Sequence, residues 1–99
     1  MTWKLSPVPP QMAKTALALT EATETWIEKQ KKAGSIIEIC QYTEGTGGVA
    51  IVEEKSNDAL YQKIWECPYS LFMQYCVTPL TDMKIALETN KTILKRLAG

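Results

Sequence analysis

The segment from Gly34 to Glu54, GSIIEICQYTEGTGGVAIVEE, sets two short apolar runs on either side of a glycine-rich link. Ser35–Tyr42 carries Ile36, Ile37, Ile39 and a tyrosine, side chains that suit a pleated, partly buried surface. Val49-Ala50-Ile51-Val52 is apolar throughout. The link Thr43–Gly48 is rich in residues that accept positive φ, and a link this short joins antiparallel neighbours. A β-hairpin is therefore expected. Alternation places Ile36, Glu38, Cys40 and Tyr42 on one face and Ile37, Ile39 and Gln41 on the other. Neither face is polar throughout, whereas a sheet with one wet face alternates more cleanly. Both faces are expected to be covered, one by helices of this chain and the other by a second subunit. Which set meets which cover turns on a bulge in the link, and the sequence leaves both assignments open.

The bulk properties narrow the function classes. Ninety-nine residues make one domain, residues 1–99. A chain this short buries only about two-thirds of its unfolded surface, so assembly would help it. The 11 basic and 11 acidic residues balance, and neither nucleic acid nor a membrane surface is an expected partner. No apolar run is of bilayer-spanning length, and MTWKLSPVPP lacks a signal-peptide core, so the cytoplasm is the expected location. The cysteines, Cys40, Cys67 and Cys76, are odd in number and widely spaced, which is no disulfide framework. Histidine is absent, and with it His-based acid–base chemistry, Ser-His and Cys-His pairs and histidine ligation of metals. No cofactor and no metal is expected.

Thr2–Leu5 reads as a short strand, close enough to the chain end to fray. Ser6-Pro7-Val8-Pro9-Pro10 is an extended connection. Gln11–Ala33 has the spacing of one long helix, with Met12, Ala16, Leu19, Thr23, Trp26, Ile27 and Gln30 on its inner face and Gly34 as its cap. Trp26 reads as core rather than as a ligand platform. Ser56 caps a helix Asn57–Cys67 whose inner stripe is Leu60, Ile64 and Cys67. Tyr69–Val77 reads as the last strand, and Thr81 as the cap of a final helix with an apolar stripe through Met83, Leu87, Ile93, Leu94 and Leu97.

Strand, helix, strand, strand, helix, strand, helix is the split βαβ, or ferredoxin-like, α+β plan with one extra helix. Right-handed crossovers put two helices on one sheet face and leave the other bare. That apolar bare face is expected to pack against a second copy as a dimeric α+β barrel. Val49-Ala50-Ile51-Val52-Glu53, Asn57-Asp58-Ala59-Leu60, Cys67-Pro68-Tyr69-Ser70-Leu71-Phe72-Met73 and Val77-Thr78-Pro79-Leu80 resemble the muconolactone isomerase-like family and its small uncharacterised relatives. The resemblance covers Gly34 to Leu80 and implies a homodimer or larger ring, with enzyme members that move a double bond in a small unsaturated lactone. The enzymes have basic and aromatic residues, histidine included, where this chain has Ile36-Ile37-Glu38-Ile39-Cys40, and a more acidic last strand than Phe72-Met73-Gln74-Tyr75-Cys76. The fold transfers better than the reaction.

Glu38 is a carboxylate in the middle of an apolar strand. Inside a barrel it would be desolvated toward a neutral-pH base, with Tyr42 two pleats along to hold an enolate oxygen. The plainer expectation is that Glu38 pairs with a lysine at a subunit contact and Tyr42 packs at the hairpin base. Glu53 falls opposite Glu38 or in solvent, according to register. Cys40, Phe72, Gln74 and Cys76 are the expected ligand-lining residues, and Gln74, Tyr75 and Cys76 line that cavity or else form the dimer seam. Gly45-Thr46-Gly47-Gly48 joins strands and opens no helix, so it reads as a turn rather than a phosphate loop. Two functions follow. One is an oligomeric module holding a small apolar acid or lactone in an intersubunit cavity. The other is a cofactor-free isomerase using Glu38.

Overall fold

A computed structural model describes residues 1–99. Strands β1 (Thr2–Leu5), β2 (Ile36–Gln41), β3 (Gly47–Val52) and β4 (Met73–Cys76) form one antiparallel sheet in the order β2-β3-β1-β4. Helices α1 (Ala13–Ala33) and α2 (Asn57–Glu66) are the crossovers, and α3 (Met83–Ala98) follows the last strand. This is the expected ferredoxin-like α+β arrangement with a C-terminal helix.

β1 is not a frayed edge. It lies between β3 and β4, and Met1 exchanges hydrogen bonds with Ala50, its amino group donating to the Ala50 carbonyl at 3.0 Å and accepting from the Ala50 N–H at 2.8 Å through its own carbonyl. The helix ends follow local chemistry. Gly34 takes φ 82° and donates its N–H to the carbonyls of Gln30 and Lys31, closing α1. Ser56 Oγ accepts from Ala59 N at 3.1 Å and opens α2. The final helix is capped by Asp82, not Thr81, with Oδ1 accepting from Lys84 N at 2.9 Å. A carboxylate one residue nearer the first turn is the better placed acceptor.

Three boundaries differ from the sequence reading. Pro10–Met12 is a 3₁₀ turn ahead of α1. Ser70–Phe72 is a second 3₁₀ turn, so the last strand begins at Met73 rather than Tyr69. Gly47 and Gly48 belong to β3, and the link is shortened to Tyr42–Thr46. Gly45 alone of the link glycines has positive φ, 81°. Gly48 is needed for space: a Cβ there would overlap the Trp3 indole and the Cys40 carbonyl.

A bulge decides which residues meet the helices. Ile36 pairs with Val52, but Glu38 pairs with Ile51, leaving Ile37 as the extra residue. The irregularity is inside β2 and not in the link, and it separates Ile36 from Glu38 and Cys40, which simple alternation had grouped. Ile36, Ile39, Ala50, Val52, Trp3, Leu5, Met73 and Tyr75 share the helix side, while Thr2, Lys4, Glu38, Cys40, Val49, Ile51, Gln74 and Cys76 share the other.

That other side is open. Ile37, Val49 and Ile51 are exposed on or beside it. Every residue of α3 except Ala86 is exposed, including Met83, Leu87, Ile93, Leu94 and Leu97. The radius of gyration is 17.9 Å, against about 12.6 Å for a compact chain of this length. The accessible surface is 7798 Å², and a folded monomer of 11.1 kDa exposes about 5,700 Å². The excess, about 2,100 Å², is the scale on which a protomer buries surface in an obligate assembly.

Candidate functional site

The side chains of α1, α2 and the helix side of the sheet do not close on one another. They leave a cleft of about 540 Å³, a size that suits a small organic ligand. Its walls are apolar, with Trp3, Ile27, Ile36, Leu60, Ile64 and Met73 among them. The inner stripe of α1 accounts for one wall: all seven residues assigned to that face are shielded in the structure. Two of them, Thr23 and Gln30, are polar, and they bracket Trp26.

Polar groups in this wall are left without partners. Thr23 Oγ1, Trp26 Nε1, Gln30 Oε1 and Glu54 Oε1 are each buried and make no hydrogen bond within the protein. All four residues line the cleft. Gln30 is 2% exposed. A buried polar atom with no partner costs about 1–3 kcal/mol, and three of these four belong to the inner face of α1.

A fifth polar residue is held differently. Ser70 Oγ donates to the Ile64 carbonyl, and its oxygen is 2.9 Å from Tyr75 OH. Because the single Ser70 hydrogen is spent on Ile64, the Tyr75 hydroxyl donates to Ser70 in preference to the Met73 sulfur at 3.5 Å. The phenol oxygen is thereby fixed as an acceptor at the cleft wall. Burial pushes Tyr75 up from 10.0 to about 12; the Ser70 hydroxyl, which can turn to donate to the phenolate once it forms, partly offsets this, and the Cys67 thiol adds to the rise. The unfolded chain therefore ionises here before the folded one. Stability from this residue is whole below pH 10 and is lost as pH rises toward 12. An ultraviolet titration is expected to show one of the four tyrosines ionising near pH 12, with denaturant stability falling through the same interval. A single transition at the ordinary value would refute the assignment.

The residues singled out from sequence lie elsewhere. Glu38, Cys40, Gln74 and Cys76 are together on the open side, where Cys40, Val49, Thr2 and Cys76 form one row across the sheet. Tyr42 falls just beyond β2, donates its N–H to the Gly47 carbonyl at 2.8 Å, and lines a shallow depression with Lys4, Gln74 and Cys76. Glu38 lines neither that depression nor the cleft. Phe72 is in the 3₁₀ turn, tilted against Tyr69 with ring centroids 5.4 Å apart and planes at 49°, and not on the strand face with Gln74. Glu53 does not face Glu38: its N–H bonds to the Ser35 carbonyl, and Ile51 is the partner of Glu38. Tyr75, expected beside Gln74 and Cys76, lines the cleft on the helix side instead, as does Trp26, which was read as core; Thr23, Gln30 and Glu54 were not singled out as site residues. The available signal was the pair of polar residues interrupting an otherwise apolar helix stripe.

Fold and cleft together define a ferredoxin-like α+β domain with an apolar cleft between its helix layer and its sheet. Residues 1–84 match the family model described as muconolactone delta-isomerase. The chain belongs to that family. The match ends at the second residue of α3, so most of the exposed helix lies beyond it. A comparison with curated proteins found no match.

Proposed function

We propose that this family member is a homo-oligomeric, cytoplasmic small-molecule-binding protein whose ligand, a small and mostly apolar lactone or acid, sits in the cleft beneath α1 and α2. The open cleft of about 540 Å³ with its mainly apolar lining supports this reading. It moves the site from the open side of the sheet to the helix side. The open side is then left for a second copy. Its exposed Val49 and Ile51 supply the apolar seam, and Lys4 on the same side supplies a countercharge for Glu38 across it.

Trp3 and Trp26 both line the cleft, so ligand entry is expected to quench intrinsic fluorescence. Titration with a small unsaturated lactone tests this. Leu60→Trp, which fills part of the cleft, should weaken binding at least about tenfold. Equal affinity in that variant would move the ligand out of the cleft.

The Glu54 carboxylate favours a second reading, cofactor-free isomerisation. Glu54 would take a proton from the carbon beside the lactone carbonyl while the Trp26 N–H holds the carbonyl oxygen as negative charge gathers there, and the proton would return to the far end of the double bond. Glu38 enters this chemistry only through closure of a second copy over the open side. Following the double bond in the same titration decides the matter: turnover lost in Glu54→Gln and kept in Glu38→Gln supports Glu54, and the reverse pattern supports Glu38.

A further inference from the structure

The open side of the sheet is ordered about a single row. Register sets Cys40, Val49, Thr2 and Cys76 abreast, one residue from each strand. The ground on either side of that row differs. On one side Glu38 pairs with Ile51, and Ile51 and the bulged Ile37 stand 44% and 55% exposed as an apolar ridge. On the other side Lys4 pairs with Gln74, and Lys4, Gln74, Tyr42 and Thr46 surround a depression of about 380 Å³. The ridge bears a carboxylate and the depression an ammonium group.

Two aligned sheets packed face to face lie about 10 Å apart. A two-fold axis between them runs either along the strands or along the row. Rotation about the strands lays ridge on ridge, depression on depression, and Lys4 next to the Lys4 of the second copy. Rotation about the row lays each ridge over the other copy's depression, with Glu38 on the Lys4 and Tyr42 side and Val49 against its own counterpart. Shape and charge agree in the second arrangement and conflict in the first.

The cysteines mark the axis. Cys40 and Cys76 are both exposed, on the two edge strands. Within one chain three strand spacings separate them, about 14 Å, too far for a bond between them. A residue on a two-fold axis meets itself. Resting on the homo-oligomer reading above, we propose that a second copy docks on this side about a two-fold axis along the row, so that Cys40 faces Cys40 and Cys76 faces Cys76 across the seam.

Cross-linking of the full chain with 1,2-bis(maleimido)ethane tests this, since the reagent joins thiols opposed across packed sheets and falls short of thiols about 14 Å apart in one sheet. Cys40→Ser and Cys76→Ser each keep one symmetric pair, and each should shift on a denaturing gel from 11.1 kDa to twice that mass. The variant with both changes keeps only the buried Cys67 and should not shift. Ile51→Asp added to either single variant should abolish its shift. A cross-link that forms only when both cysteines are present overturns the axis along the row, as does a parent that sediments as a dimer while neither single variant cross-links. A shift that survives Ile51→Asp, or that the double variant still shows, overturns the pairing as well. A parent that sediments as a monomer at every concentration overturns the homo-oligomer reading itself.

Discussion

Replacing Ile51 with Asp is expected to turn an assembled protein into a monomer at concentrations where the parent stays associated. Ile51 is 44% exposed on the open side of the sheet, beside Val49 and across from Glu38. In an assembled protein that surface is a seam. Burying an isoleucine side chain is worth about 1.5–3 kcal/mol, and an unpaired carboxylate in its place adds a desolvation cost of several kcal/mol. A two-fold assembly carries the change twice. The dissociation constant should rise more than about 100-fold. Analytical ultracentrifugation over a dilution series reads it directly. The far-ultraviolet spectrum should be unchanged, because Ile51 makes no part of the helix-side packing. A parent that sediments as a monomer at every concentration, or a variant that associates like the parent, would exclude this side as the seam. The physical basis is the surface: the chain exposes about 2,100 Å² more in total than a monomer of this mass, and Ile37, Val49 and Ile51 are among the apolar groups left in water on the sheet.

Replacing Gly48 with Val should be strongly destabilising to the fold. Gly48 has no positive φ, so the backbone itself would accept a side chain. The obstacle is the Trp3 indole laid across it on one side and the Cys40 carbonyl on the other. Trp3 belongs to the central strand and walls the cleft. A branched side chain at position 48 must push the indole off the sheet or part β2 from β3. Overpacking of this kind costs about 1–3 kcal/mol, and lost ladder hydrogen bonds add to that. In a domain with only about 5–15 kcal/mol to lose, much of the stability would go. Urea denaturation followed by tryptophan fluorescence measures both the loss and the displaced indole. Gly45→Ala is the control: it has φ 81° and open space around it, so it pays only the left-handed penalty of about 1–2 kcal/mol. Similar losses for the two variants would contradict the close-approach account.

Much of the fold was legible because local chemistry decided it. The long helix shows in the spacing of Met12 to Gln30, and its end in Gly34. The α2 cap shows in Ser56. The strand order follows from element order alone once crossovers are right-handed. Misread boundaries were places where neighbouring residues offer similar chemistry. Thr81 and Asp82 both make caps, and Tyr69–Phe72 has the composition of a strand but turns because Ser70 bonds back to the end of α2 through the Ile64 carbonyl.

The candidate site was less legible, and one residue explains why. Ile37 is looped out, so Ile36 points at the helices while Glu38 points away from them. Period-two alternation does not reveal a bulge within a strand, and Glu38 was therefore grouped with a residue on the opposite side. The attention drawn to an acidic residue amid isoleucines went to the open sheet, while Thr23, Trp26 and Gln30 passed as ordinary positions on a helix stripe.

Residue order alone settled the α+β class, the helix faces, the capping of α1 and α2 and the presence of more apolar surface than one small chain can cover, because each depends on neighbours within a turn or a strand pair. Three-dimensional packing settled the bulge at Ile37, the glycine seat beneath Trp3 and the meeting of Thr23, Trp26, Gln30, Glu54 and Tyr75 around one cleft. Those depend on contacts between elements far apart in the chain, where the fit of side chains in space, and not their spacing along the backbone, determines what touches what.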